Sequence, residues 1–354
     1  MRIGDRAIGV GEPVYVIAEI GVNHDGSVER ALELTDAAAA TGADAVKLQL
    51  FETDRLMSRA AKLAAYQARA GETDPVSMLR RLELGLDEMH RVVERARVNG
   101  LHAIVTVFSL ELVEPAMSLG WDAYKIASPD IIHRPLLEAV SRVGRPMIVS
   151  TGASTLDEVS RARGWLHGVS DRLAFLQCVS AYPAPASALG GIGAVGACVG
   201  VPVGYSDHTP GIETGAKAVR AGAVLLEKHL TYDTGAAGPD HAASLAPASF
   251  GEYVRLAKIE TTVPASHEGE KVLATAELEV RRVSRQSIVA AANLPAGHRL
   301  TMSDLTIKRP GTGLKPWRLD EILGCSLRRA VESDCPIDQA WIDEVSTQAP
   351  SSAA

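Results

Sequence analysis

Short apolar runs recur along the first 260 residues, and most of them precede a segment whose apolar positions have helical spacing. This alternation predicts a parallel β-sheet whose strands are connected by helices. Eight such runs favour a closed (β/α)8 TIM barrel over an open doubly wound sheet. The predicted strands are VYVIAE (14–19), DAVKLQL (44–50), LHAIVTV (101–107), AYKIA (123–127), PMIVS (146–150), LAFLQC (173–178), VPVGYS (201–206) and AVLLEKH (223–229).

The first helix and the end of the barrel are marked by local signals. Ser27 is a predicted N-cap and Gly42 follows the helix end, while apolar contacts are expected from Val28, Ala31, Leu32 and Thr35. After residue 262 the polar stretch TTVPASHEGEK interrupts the alternation and is typical of a linker. We therefore predict a barrel domain (1–262), a linker (263–282), a small β-rich domain (283–346) and a disordered tail (347–354).

Composition narrows the possible functions. The 354 residues carry a formal net charge of −7 at pH 7, which argues against a broad nucleic-acid surface because phosphate backbones require a basic face. No apolar run approaches the length of a membrane span and no signal-peptide core is visible, so a cytoplasmic protein is expected. The cysteines show no CxxC spacing, which indicates reduced, structural thiols at Cys178, Cys198, Cys325 and Cys335.

Polar residues collect at the ends of nearly all the predicted strands. The carboxyl ends of barrel strands are where chemistry occurs in this fold, and residues two apart on a strand share a face. These strand-end residues are Glu19, Lys47, Gln49, Thr106, Lys125, Ser128, Ser150, Ser180, Tyr182, Ser206, His208, Glu227 and His229.

Two lysines lie within otherwise apolar strands, at Lys47 and Lys125. A buried lysine is costly without an anionic partner, so the pair indicates an anion such as phosphate or carboxylate at the barrel mouth. The alternative is that each lysine pairs with a buried Glu or Asp. The turn 150–154 before a helix also favours phosphate through free backbone N–H groups, although such turns are common helix caps.

His208 and His229 close adjacent strands, where neutral imidazoles could bind a divalent metal with positions left for water and substrate. They could equally be hydrogen-bonded barrel histidines. Glu19 and Asp130 are candidate acid or base groups, because a carboxylate can be tuned for proton transfer by its surroundings. Either carboxylate could instead be the partner of Lys47 or Lys125.

Eight segments carry a resemblance to the sialic acid synthase family, which includes synthases of legionaminic and pseudaminic acid. The matches run in order along nearly the whole chain, and the last lies in a domain similar to type III antifreeze proteins, the antifreeze-like (SAF) domain. They are IAEIGVNHDGS (17–27), VKLQLF (46–51), YKIAS (124–128), STGAS (150–154), YSDHT (205–209), EKHLT (227–231), GPDH (238–241) and KRPGTG (308–313).

The resemblance implies a phosphoenolpyruvate-dependent condensation with an aldose, assisted by manganese or magnesium. It implies that Glu19 lies at the reacting centre and that His208 and His229 bind the metal. Arg309 matches an arginine that reaches the active site of the other subunit, which implies a domain-swapped homodimer. The implied substrate-binding residues are Lys47, Gln49, Thr106, Lys125, Ser128, Ser150, Tyr182, Ser206, Asp240 and Arg309.

The chain departs from the family pattern around the acceptor. Pro129 and Asp130 stand where the family has a glutamate, Ser180 stands where it has an asparagine, and Gln177 where it has a histidine. The acceptor therefore stays open between N-acetylmannosamine and a related aldose. Two other functions remain: a Schiff-base aldolase that uses Lys125 or Lys47 as nucleophile, and a non-catalytic binding protein.

Overall fold

A computed structural model describes residues 1–185, 187–265 and 269–343 of the chain. Eight parallel strands form a closed barrel in the order β10-β3-β4-β5-β6-β7-β8-β9, which confirms the predicted fold class. The strands of the barrel are β3 (Tyr15–Glu19), β4 (Ala45–Leu50), β5 (His102–Val107), β6 (Ala123–Ile126), β7 (Met147–Ser150), β8 (Leu173–Cys178), β9 (Val203–Asp207) and β10 (Leu225–His229).

The inward-facing side chains of the barrel form an apolar layer below a polar one. Side chains at every second position of a strand face the same side, so each strand continues its inward series toward its carboxyl end. On β3, β4 and β10 the apolar residues Ile17, Ala45 and Leu225 belong to the interior cluster. Two positions further along stand polar residues: Glu19, Lys47 and Glu227. This shift from apolar to polar positions locates the site at the carboxyl end.

A small hairpin contributes to the interior cluster from the start of the chain. Strands β1 (Arg2–Ile3) and β2 (Arg6–Ala7) pair antiparallel, and Ile3 and Ile8 pack with the lower apolar residues of the barrel. Both isoleucines are buried. The hairpin thus adds apolar packing to the layer that lies away from the polar strand ends.

Helices surround the barrel and pack on it through apolar faces. The first begins after Ser27, whose Oγ accepts a hydrogen bond from the N–H of Arg30 at 3.3 Å, as predicted. Leu34 is buried in this helix, whereas the predicted contact Leu32 is only half-buried. The helices of the barrel region are α1 (Val28–Ala40), α2 (Thr53–Leu56), α3 (Ala65–Arg69), α4 (Pro75–Leu82), α5 (Leu86–Val98), α6 (Val113–Met117), α7 (Arg134–Arg142), α8 (Leu156–Trp165), α9 (Gly190–Val199), α10 (Thr214–Arg220) and α11 (Pro247–Ile259).

The C-terminal region forms its own apolar core around a small antiparallel sheet. Its elements are α12 (Glu277–Ser284), β11 (Ser287–Ala290), β12 (Leu305–Lys308) and α13 (Leu319–Ile322), with short 3-10 turns between them. Helix α12 begins inside the segment predicted to be a linker. The predicted domain boundaries stay predictions, and the predicted tail 347–354 lies outside the described residues.

The C-terminal domain packs against the barrel of the same chain. The backbone N–H of Arg309 donates to the carbonyl of Leu56 at 2.8 Å, and Trp317 packs against Trp165 with ring centroids 6.4 Å apart. No helix among the described residues combines the length and apolar character needed to cross a membrane.

Candidate active site

A cleft of about 890 Å³, part of it open to solvent, lies at the carboxyl ends of the barrel strands. Every site residue predicted from the sequence lines this cleft except Asp130. The predicted residues in its wall are Glu19, Lys47, Gln49, Thr106, Lys125, Ser128, Ser150, Tyr182, Ser206, His208, His229, Asp240 and Arg309. Cys178 of β8 also lines the cleft, so residues from all eight barrel strands and from the C-terminal domain converge on one cavity.

A carboxylate lies between the two buried lysines. Oε2 of Glu227 is 3.7 Å from the Nζ atoms of both Lys47 and Lys125, and Oε1 accepts from the hydroxyl of Ser206 at 3.0 Å. Lys47 also forms an ion pair with Glu19. In the free protein both lysines are therefore close to buried carboxylates, which is the alternative to a bound anion that the sequence leaves open.

Hydroxyl groups complete the surroundings of the lysines. Lys47 Nζ donates to Thr106 Oγ1 at 2.9 Å and Lys125 Nζ donates to Ser150 Oγ at 2.5 Å. Burial lowers the pKa of Lys47 to about 8, against the opposing attraction of Glu227. Burial acts to raise the pKa of Glu227, but the two lysines outweigh it and hold that pKa below its usual value. The cluster is thus charged and desolvated, which strengthens its interactions.

Two histidines and a tyrosine form the other side of the cleft. The rings of His208 and His229 are 5.6 Å apart, and the ring of Tyr182 lies 4.2 Å from that of His208. Burial lowers the pKa of both histidines, so both imidazoles are neutral near pH 7. His208 Nδ1 donates to the carbonyl of Val179 at 2.8 Å, which leaves its Nε2 lone pair free.

The histidine pair has the properties of a partial metal site. Nδ1 of His229 is buried and has no hydrogen-bond partner among the described residues, and neutral imidazoles are common ligands of divalent ions. Within residues 1–185, 187–265 and 269–343, no group of three or more His, Cys, Asp or Glu side chains is arranged to hold a metal ion. An ion bound here would need water or substrate to complete its coordination.

Asp130 differs from the other predicted residues. It is fully buried, it is absent from the lining of the cleft, and its Oδ1 accepts from Gln286 Nε2 at 3.0 Å. Burial raises the pKa of this carboxyl to about 7, although the nearby Arg309 and Arg285 act to lower it. Its predicted catalytic role stays untested, and its side chain contacts the C-terminal domain.

The turn after β7 does not present the free backbone N–H groups that its sequence predicted. The N–H of Gly152 donates to Ser128 Oγ at 3.0 Å, and the N–H of Ala153 donates to Glu277 Oε1 at 2.7 Å. The prediction of a phosphate cradle at this turn is therefore wrong for these two groups. The carboxylate of Glu277 already occupies the position that an anion would take.

The cleft has further lining that comes from outside the strand ends. Tyr66 of α3 stacks on Tyr182 with ring centroids 4.9 Å apart, and Val280 and Ser284 of α12 also line the wall. No sequence signal identified these residues. The spacing of two places Glu227 on the same strand face as His229, but it does not predict a role for Glu227.

Asp240 and Arg309 also form part of the wall of the cleft. Burial raises the pKa of Asp240 to about 6. The guanidinium of Arg309 lies 5.5 Å above the ring of Phe108. Gln49 donates its amide to the carbonyl of Gly21 at 2.7 Å, a contact that fixes the loop after β3.

A closed parallel barrel with a buried cluster of charges at the carboxyl ends of its strands defines the chain as a (β/α)8 barrel enzyme. The chain belongs to the NeuB family, which matches residues 34–269. Residues 285–341 match the SAF domain, as the sequence predicted.

Known proteins support the same assignment. The chain is 36% identical over 322 residues to the N,N'-diacetyllegionaminic acid synthase of Legionella pneumophila, covering 88% of this chain and 90% of that protein. It is 30% identical to the N-acetylneuraminate-9-phosphate synthase of Homo sapiens, covering 96% and 95% of the two chains. The crystal structure of spore coat polysaccharide biosynthesis protein SpsE from Bacillus subtilis superposes with a TM-score of 0.82 at 30% identity, covering 97% of this chain and 99% of that one. The protein is accordingly a carbon–carbon bond-forming enzyme, as predicted.

Proposed function

We propose that the enzyme condenses phosphoenolpyruvate with a sugar aldehyde, N-acetylmannosamine or a related aldose, to give a 2-keto-3-deoxy sugar acid and phosphate. The observation that carries this proposal is the pair of buried lysines, Lys47 and Lys125, both 3.7 Å from one carboxylate in a cleft that also contains two neutral imidazoles. Cations held in a dry site stabilise an anionic substrate and its developing charge strongly.

Phosphoenolpyruvate would bind in the part of the cleft that contains Lys47 and Lys125. Their ammonium groups already donate to Thr106 and Ser150, and a phosphate or carboxylate oxygen entering the cleft could accept from both kinds of group. Arg309 adds a third cation to the wall. Lysine ammonium groups thereby neutralise the substrate before and during the reaction.

The sugar aldehyde, which is the acceptor, would bind against Tyr182, Asp240 and the two histidines. His208 and His229 would hold the divalent ion, Mn²⁺ or Mg²⁺, because their imidazoles are neutral and one nitrogen of His229 lacks a partner within the part of the chain that the structure describes. Bound there, the ion supplies Lewis-acid polarisation of the aldehyde oxygen. Tyr182 and Asp240 would orient the sugar by contact and hydrogen bonding.

The reaction requires carbon–carbon bond formation between C3 of phosphoenolpyruvate and the aldehyde carbon. Water then adds at C2, and C–O cleavage releases phosphate and leaves the 2-keto acid. Glu19 is the proton carrier that lines the cleft, and its Oε1 accepts from the N–H of Gly21 at 2.7 Å. A positioned carboxylate of this kind can accept or return a proton during the addition of water. Asp130 is the second candidate.

The proposal is tested by supplying phosphoenolpyruvate and Mn²⁺ with a panel of aldoses that includes N-acetylmannosamine and diacetylated hexoses. Phosphate release that depends on one aldose is expected, with a product whose mass equals phosphoenolpyruvate plus the aldose plus one water, less phosphoric acid. If no member of the panel supports release above the rate without aldose, the proposed function is wrong.

The metal assignment has its own measurement. Mn²⁺ binding to the free protein, followed by titration calorimetry, should be lost in a double His208→Ala, His229→Ala variant and retained in a His298→Ala control. His298 hydrogen-bonds Asp304 in the C-terminal domain. Retention of both metal and activity by the double variant would show that His208 and His229 do not hold the metal.

The lowered pKa of Lys47, about 8, is the observation that favours a Schiff-base aldolase as the second candidate function. Borohydride treatment with pyruvate would then leave a stable adduct on Lys47 or Lys125, detectable by peptide mass. Complete loss of activity on chelation, without any adduct, decides for the metal-assisted condensation.

The domain-swapped homodimer implied by the resemblance stays a prediction, because the structure describes one chain. In that chain Arg309 lines the cleft of its own barrel, and its carbonyl accepts from the N–H of Ser58 at 3.0 Å. The two arrangements differ in which subunit supplies the guanidinium, and subunit mixing distinguishes them.

A further inference from the structure

The segment between the two matched regions, residues 270–284, belongs to neither of them. Its polar side chains are nevertheless packed against the barrel: Lys271 and Glu277 are both buried. Helix α12 also contributes Val280 and Ser284 to the wall of the cleft. A segment that buries charged side chains against the active-site rim does more than join two domains.

Glu277 binds two barrel loops through one carboxylate. Its Oε1 accepts from the backbone N–H groups of Ala153, after β7, and Ser180, after β8, both at 2.7 Å. Its Oε2 accepts from the N–H of Ala274 at 2.9 Å. Hydrogen bonds from amides to an ionised acceptor are among the stronger ones in proteins, and those of Glu277 are shielded from water.

The loop that Glu277 binds carries the acceptor side of the cleft. Just before Ser180, the carbonyl of Val179 accepts from Nδ1 of His208 at 2.8 Å and sets the orientation of that ring. Two residues after Ser180, the ring of Tyr182 packs on His208 at 4.2 Å. Moving Ser180 therefore moves both groups.

The other contacts of the segment attach it to the barrel without touching this loop. Lys271 Nζ donates to Gln177 Oε1 at 2.9 Å, and Arg281 donates to the carbonyl of Ala153 at 2.5 Å and to Glu158 Oε2 at 2.7 Å. These contacts fasten α12 in place. Glu277 lies on this helix and accepts a hydrogen bond from Ser180, so the position of α12 affects the position of Ser180.

We propose that Glu277 is a positioning residue for the acceptor half of the active site. It holds the loop 179–182 so that His208 and Tyr182 face the aldose, while the lysine end of the cleft has its own partners. The predicted changes in KM rest on the proposed function, whereas the predicted role of Glu277 in holding the loop does not. The position of the loop can be measured in the free protein.

The first measurement is hydrogen exchange of the free protein, read by mass spectrometry on peptides that cover 150–156 and 178–184. In Glu277→Ala the amides of Ala153 and Ser180 lose their acceptor, so both peptides should exchange faster than in the wild type. Glu279→Ala is the matched control, because Glu279 is exposed on the same helix. It should leave both peptides unchanged.

The second measurement separates the two substrates. Glu277→Ala should raise KM for the aldose by about tenfold or more, as expected for one lost hydrogen bond to a charged group, with less than about a twofold change for phosphoenolpyruvate. Glu277→Gln keeps a carbonyl oxygen for Ala153 and Ser180, so it should recover most of the aldose affinity. It also tests the proposal if the alanine variant does not fold.

Unchanged exchange in both peptides, or equal effects on the two KM values in a folded variant, would overturn the role of Glu277. If the wild type consumes phosphoenolpyruvate with none of the aldoses, the proposed function fails. The exchange experiment still decides whether Glu277 holds the loop.

Discussion

Replacing Glu227 with glutamine removes the negative charge that lies between the two buried lysines. Its Oε2 is 3.7 Å from Nζ of Lys47, and at an effective dielectric constant of about 20 such a pair is worth about 4 kcal/mol, or about 3 pKa units. Glu19 remains beside Lys47 and water can enter the variant, so we expect a fall of about 1 to 2 units. The pKa of Lys47, about 8 in the folded protein, would then lie between about 6 and 7.

The consequence can be measured because only a neutral amine reacts with an acylating reagent. At pH 7 the neutral fraction of Lys47 should rise about five- to tenfold, and limiting labelling followed by peptide mass spectrometry should show a similar rise in rate. Binding of phosphoenolpyruvate should weaken in parallel, because the neutral amine no longer attracts the anion.

Glu213→Gln is the matched control. Glu213 pairs at 2.8 Å with Lys217 on the surface, where solvent screening leaves such pairs little energy. Labelling of Lys217 should change by less than about twofold. If Lys47 labelling in a folded Glu227→Gln variant stays at the wild-type rate, the electrostatic account of the cleft is wrong.

Two further predictions concern the contacts with the C-terminal domain. The pKa of Asp130 is raised to about 7 in the folded chain, so the unfolded chain loses this proton first and the free energy of unfolding falls between about pH 4 and 7. Asp130→Asn should therefore gain stability relative to the wild type on going from pH 5 to pH 8, by up to about 2.5 kcal/mol in urea denaturation; equal differences at both pH values, or the same gain in the exposed Asp5→Asn, would contradict this. Arg309→Ala should impair turnover, and mixing it with Lys125→Met should restore nothing if Arg309 serves its own barrel. Recovery of activity after subunit exchange would instead establish the swapped dimer.

The barrel and the polar strand ends could be predicted because both depend on local periodicity. A spacing of two puts Lys47 with Gln49, and Glu227 with His229, on one strand face, and parallel closure brings the carboxyl ends together. Strands with a clear pattern can be predicted from their own sequence, without knowledge of their contacts with other segments. The N-terminal hairpin of β1 and β2 could not be predicted in this way, because strands of 2 residues are too short to show a periodic pattern.

Other parts of the site depend on packing between distant segments. Tyr66 reaches the cleft from a short helix outside the strand ends, and Glu277 reaches it from a stretch whose composition is typical of a linker. Asp130 is the opposite case, because its sequence position predicts a place in the cleft that the structure does not give it. It follows a strand end in sequence, yet its carboxyl is covered by Gln286. Sequence position predicts which residues are near the mouth of a barrel, but not which of them face the cavity.

The C-terminal part of the chain is therefore a structural component of the active site. Arg309, Val280 and Ser284 form part of the wall of the cleft, and Glu277 occupies backbone N–H groups that the barrel alone would leave for water. A buried carboxylate that satisfies two loop amides is costly to remove, because both donors lose their partner together. Under the proposed function, the barrel would supply the charged residues that bind the anion, and the C-terminal segments would fix the loop that faces the acceptor. On this proposal, substitutions in residues 270–309 should alter KM for the aldose without any change in the lysines.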